Sequence, residues 1–144
     1  MSASNGAIVR RLITHGLNNH DISVLRDLMR ESIYHMPLVG ELRGEALVQF
    51  FDDLFTAFPD VERKVEDQFT DGMNHVVTRW TMTGTHQGEF LGSAPTGKRI
   101  NITGTSIHLI SSGRIVQGWH QWDSLGSMQQ LGVAPAISYE ATPA

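Results

Sequence analysis

The chain opens on a helical period. Ile8, Val9, Leu12, Ile13 and Leu17 recur at intervals that place apolar side chains on one face of an α-helix. Gly16 and Asn18-Asn19 mark its expected end. Asp21 then stands where a carboxylate caps a second helix, with Ile22, Leu25, Leu28 and Met29 as its apolar stripe. Residues 31–36 read as a short strand stopped by Pro37, followed by a loop that closes at Gly40 and Gly44. Residues 45–58 carry the strongest stripe, Leu47, Phe50, Phe51, Leu54 and Phe58, ended by Pro59.

After Pro59 the period becomes two. Residues 61–69, 75–86, 98–110 and 114–124 read as strands, with Asp71-Gly72 and Ser111-Ser112-Gly113 as turns. Three helices followed by an antiparallel meander define an α+β domain. Its sheet has to bury one face against the helices, and a curved sheet would enclose a cavity there. The 144 residues suit one domain, which buries roughly two thirds of the surface its unfolded chain exposes. The stretch after Gly132 lacks a period and is expected to be irregular.

Composition narrows the chemistry. There are no cysteines, which excludes disulfides and thiolate metal sites. A net charge of −4, with no Lys/Arg run longer than a pair, argues against nucleic acid as a partner. No apolar run approaches the ~18 residues of a membrane span, so no membrane partner is expected. Arg10 and Arg11 interrupt the first apolar stretch, which argues against a signal peptide and makes the cytoplasm the expected location. The seven histidines include no His-x-His or His-x-x-x-His pair, so no metal site is expected. Gly84, Gly88 and Gly92 lie on a hairpin rather than between a strand and a helix, which fits neither a dinucleotide nor a phosphate loop. No cofactor is expected; these glycines read instead as tight turns and close approaches at a cavity mouth.

Alternation along the last strand sets Val116, Gly118, His120 and Trp122 on one face and Gln117, Trp119, Gln121 and Asp123 on the other. One of His120 and Asp123 can therefore face a cavity unless the strand bends. A histidine that titrates near neutrality suits proton transfer to and from carbon acids. Asp123, where the strand ends, is a second candidate, and a capping carboxylate is its structural counterpart. His86 shares a face with Trp80 and Met82 and is a third candidate. His108, between Ile107 and Leu109, reads as a sheet residue. Tyr34, His35, Trp80, Phe90, Trp119 and Trp122 are the candidates for binding a flat substrate.

The helical hairpin, AFPD (57–60), GTHQGEFLGSAPTGKR (84–99), GRIVQGWHQWD (113–123) and MQQLG (128–132) follow one another in an order and spacing that resembles the SnoaL-like polyketide cyclases. That family shares the fold of nuclear transport factor 2. The resemblance implies a cone-shaped α+β barrel, with N-terminal helices packed on a curved, mostly antiparallel sheet around a hydrophobic pocket. It further implies a homodimer or homotetramer and a cofactor-independent intramolecular aldol closure by an acid/base aspartate. An ungapped match sets that aspartate's position on His120, and this chain's carboxylate follows at Asp123. The expected function is closure of a small hydrophobic or aromatic polyketide-like molecule. His120 would be the main acid/base, Asp123 would orient it or share the proton, and His86 or Tyr34 would donate to the developing oxyanion. The same resemblance admits a hydroxylase, or a hydrolase or dehydratase that could draw on Arg79 and Asp123, or a non-catalytic binding module.

Overall fold

The computed structural model describes residues 4–135, and the rest of the tail expected to be irregular lies outside them. The first helix starts as α1, Asn5–Arg11, and does not stop at Gly16: a wider π-helical stretch continues it over Leu12–Asn18. Gly16 is interior because the next helix presses on it; a Cβ there would lie 2.6 Å from Leu25 Cδ2. The π stretch brings Asn18 to the sheet, where its side chain accepts from the Arg63 N–H at 2.7 Å and donates to the Arg63 carbonyl at 2.9 Å. Asp21 caps α2, Ile22–Met29, by accepting from the Ser23 and Val24 N–H groups, as its position predicts.

A short β1, Ile33–Met36, is followed by a strand that turn residues concealed, β2 over Gly40–Arg43. Then come α3, Gly44–Ala57, and four long strands: β3, Glu62–Thr70; β4, His75–Thr85; β5, Arg99–Ser111; and β6, Arg114–Trp122. A fourth helix that the sequence reading did not include follows, α4, Ser124–Leu131. Its interior Gly126 weakens the helical signal in the sequence, and its cap is Asp123.

The six strands are ordered β2-β1-β6-β5-β4-β3. All neighbours are antiparallel except β1 and β6, which run parallel. The sheet curves over the helices but does not close, because β2 and β3 are its two edges. The architecture is therefore the expected cone-shaped α+β arrangement, built on an open sheet rather than a closed barrel. Its concave face packs apolar residues of all the long helices against Val76, Trp80, Ile100 and Ile115, all almost fully buried. Among the described residues no helix is long and apolar enough to cross a membrane.

Candidate functional site

Between the concave face and the helices lies a cavity of about 510 Å³, within the range of small-molecule sites. Phe50, Phe51 and Leu54 of α3, with Phe58 at its C-cap, form one wall. Trp80, Met82, Ile100 and Ile102 of β4 and β5 form another. Leu38, Leu91 and Val133 line it while remaining substantially exposed, so they mark its mouth. The glycine-punctuated loop supplies Phe90, Leu91 and Ser93 to the lining. Gly92 and Gly97 there have φ of +81° and +71°, and at Gly88 a Cβ would come within 2.9 Å of the Thr56 carbonyl. These are the tight turns and the close approach that the glycine spacing predicts.

The deep end is polar, and its side chains are wired together. Trp80 Nε1–H donates to Ser106 Oγ at 2.9 Å, and Ser106 Oγ lies 2.6 Å from His120 Nδ1. All three side chains are buried, none more than 4 % exposed. An indole N–H can only donate, so the serine accepts from it and its own proton is free to satisfy Nδ1. The serine serves either neutral tautomer, giving its proton to Nδ1 or accepting one from it, and neither bond involves Nε2. That atom is enclosed and has no hydrogen-bond partner among the described residues. It lies over Gly118, where a Cβ would be 2.6 Å from it and 2.7 Å from Tyr34 Cε1. Gly118 thus makes room for both rings. Tyr34 packs on His120 at 4.3 Å between centroids, and its hydroxyl meets His108 Nε2 at 3.0 Å.

Electrostatics follow from enclosure. Burial pushes His120 well below the ordinary imidazole range, and the nearby His108 and Arg63 add to the shift. His108 is pushed down to about 3 by burial, with Arg63 contributing. Burial raises the Tyr34 phenol. At neutral pH all three are uncharged. Among the described residues Arg63 is the charged group of the lining, and no aspartate or glutamate lines this cavity. Its guanidinium lies 3.9 Å from the Trp80 ring centroid, and burial pulls it down to about 10, which leaves it cationic.

The structure brings Tyr34, Trp80, Phe90, His120 and Trp122 to one cavity. It does not bring the other candidates there. Trp119 and His35 point to the convex face, where their rings stack at 5.8 Å and His35 meets Gln117, because the odd positions of β6 from Gln117 to Gln121, past its register shift, face outward, as does His35 between the buried Tyr34 and Met36 of β1. Asp123 lies just beyond β6 and accepts from Gly126 N–H at 2.8 Å as the cap of α4. His86 is fully buried but outside the lining, stacked on Phe58 with Nδ1 on Thr96, where it pins the glycine-rich loop. Arg79 also faces outward and pairs with Asp67 at 2.6 Å. Among the described residues no group of three or more His, Asp or Glu is placed to hold a metal ion.

Sequence reasoning missed Arg63, Ser106 and His108 as site residues. The signal for Arg63 is its phase, since it alternates with Val61 and Val65 on the inward positions of β3. Ser106 and His108 share the even phase of Ile100, Ile102 and Ile110.

The profile of the SnoaL-like polyketide cyclase family matches residues 7–131, nearly the whole described chain. The chain belongs to the SnoaL-like polyketide cyclases. Solved structures agree with the SnoaL-like assignment. A SnoaL-like cyclase candidate from Jannaschia sp. CCS1 superposes with a TM-score of 0.82 at 25% identity, covering 94% of this chain and 99% of that one. IdmH, a candidate polyketide cyclase from Streptomyces antibioticus, gives 0.78 at 27% identity over 91% and 100% of the two chains. AclR, a candidate hydroxylase from Streptomyces galilaeus, gives 0.80 at 24% identity over 93% and 88%, a likeness of fold. No curated protein sequence matches the chain. Within this SnoaL-like fold a histidine, His120, lines the cavity, and the carboxylate nearest to it in sequence, Asp123, is spent on a helix cap.

Proposed function

We propose that this SnoaL-like protein closes a ring in an enolisable, polyketide-like carbonyl compound, with His120 carrying the proton. The observation that supports this reading is the hydrogen-bonded chain from Trp80 through Ser106 to His120 at the closed end of an apolar cavity. Such a chain fixes the ring's orientation and leaves the enclosed Nε2 without a protein hydrogen-bond partner among the described residues. Phe50, Phe90, Trp80 and Trp122 suit a flat, apolar substrate body.

The serine lets His120 work in two forms. With the proton on Nε2, the imidazole donates to a substrate carbonyl oxygen and polarises it. With the proton on Nδ1, Ser106 accepts from both neighbours through its two lone pairs, and Nε2 becomes a base. An α C–H proton then passes to Nε2 and its electron pair forms the enolate. The enolate carbon bonds to a second carbonyl carbon, and the alkoxide so formed takes the proton back from Nε2. The imidazolium and the enolate arise together as an ion pair, which offsets the penalty that burial places on the charged ring. The enclosed site keeps water from competing for the enolate.

Closure conserves mass. Purified protein given a linear poly-β-ketone should yield a cyclic product of unchanged mass, or lighter by one water if dehydration follows. His120→Ala should slow it by about 10²- to 10⁴-fold. A product heavier by one oxygen, or an undiminished rate in His120→Ala, would remove this reading.

A further inference from the structure

Arg63 brings a cation into the cavity lining. Arg11, Arg26, Arg43, Arg79 and Arg99 each reach a carboxylate within 4.0 Å, all at exposed positions. Arg63 is different on every count. It lines the cavity, no ion pair is formed by it among the described residues, and its Nε is enclosed without a partner. The sole hydrogen bond from its guanidinium among those residues is a weak one to the Met82 thioether at 3.8 Å. A guanidinium has five N–H donors in a planar fork, so most of its hydrogen-bonding capacity is unspent.

The fold holds that fork in place. Asn18 clamps the Arg63 backbone at both its N–H and its carbonyl, and the guanidinium rests on the Trp80 ring. The half-buried cation is thus partly desolvated and oriented before any ligand arrives, so an incoming anion has less water to displace from it. It stands over the same indole whose N–H orders His120 through Ser106, in a lining that holds no carboxylate among the described residues. The neutral histidines beside it supply no competing charge.

We propose that the cavity's ligand is an anion: a flat, apolar molecule bearing a carboxylate that pairs with the Arg63 fork. This rests on the cyclase reading only for the identity of the rest of the molecule, and narrows its substrate class to polyketide-like acids rather than their esters or amides. A bidentate carboxylate would satisfy the donors the fold leaves open.

The test is calorimetric titration with 2-naphthoate and its neutral isostere 2-naphthamide. Wild type should bind naphthoate at least about tenfold more tightly, the scale of one charge-assisted hydrogen bond. Arg63→Met, which keeps apolar cover over Trp80, should erase the preference, and Arg63→Lys should keep part of it. Equal affinity in wild type, or a preference that survives in Arg63→Met, would overturn the inference. The wild-type ratio and Arg63→Lys decide the matter if Arg63→Met fails to fold. Because binding is read without turnover, the two proposals fail separately. A naphthoate preference without cyclisation supports this one alone, whereas cyclisation without the preference overturns this one alone.

Discussion

Arg63 and Trp80 meet face to face, the guanidinium 3.9 Å from the indole centroid, on paired strands β3 and β4. The contact joins the cavity's cation to the group that orders its histidine. Gly104, opposite Trp80 on β5, is what allows the indole to lie across the sheet, since a Cβ there would overlap the ring. The deep end of the cavity therefore behaves as one unit: Arg63 above the indole, Ser106 at its N–H, His120 beyond.

Ser106→Ala leaves two buried partners unmatched, the Trp80 N–H and His120 Nδ1. Each orphaned group costs about 1–3 kcal/mol. Urea unfolding should show a loss in that range or above, and turnover should fall because the ring is no longer held. Ser106→Thr, which keeps the hydroxyl, should recover part of both.

The buried histidines make stability depend on pH. His108 falls from 6.5 to about 3 on folding, and His120 moves in the same direction. Between those values the unfolded chain binds protons that the folded chain refuses. Stability is therefore full above about 6.5 and declines as pH falls, by about 1.4 kcal/mol per pH unit for each histidine. The urea midpoint should drop between pH 7 and pH 5, and less steeply in His108→Gln. A flat profile over that interval would contradict the burial account.

Gly118→Ala tests the close packing under His120. The added methyl would press on Nε2 and on the Tyr34 ring at distances no real contact sustains. The expected cost is about 1–3 kcal/mol from overpacking, with ligand affinity lost by displacement of the imidazole. Thermal unfolding and titration with 2-naphthoate would report the two effects.

Asp123 separates capping from chemistry. Asp123→Ala should cost about 0.5–2 kcal/mol through loss of the α4 cap, whereas Asp123→Asn, also a good cap, should be nearly neutral. Neither change should alter the pH dependence of turnover, because the carboxylate lies off the cavity.

The fold was legible because its periods are clean: three helical stripes, then strands in alternation, then motifs in the order that resembles the family. The misses have local causes. The π stretch past Gly16 is dictated by the press of Leu25, a contact made in three dimensions. Strand β2 hides behind turn glycines, and α4 behind Gly126. At the site, alternation correctly set His120 and Trp122 on one face and Trp119 on the other. It could not reveal the serine that orders His120, because Ser106 lies 14 residues away across β5 and β6. His86 was misread for a similar reason: it shares the inward phase of β4, but Phe58 stacks on its ring and it does not reach the lining. Arg63 was overlooked because a strand arginine is ordinarily a solvated one, and its placement depends on Asn18 of the π stretch and on Trp80 across the sheet.

The most direct measurement is hydrogen exchange at a carbon acid that can enolise but cannot cyclise. With 2-tetralone in D2O, followed by proton NMR at C1, wild type should incorporate deuterium well above the buffer rate, and His120→Gln should fall to that rate while remaining folded. Exchange no faster than buffer in wild type, or undiminished in His120→Gln, would contradict His120 as the proton carrier.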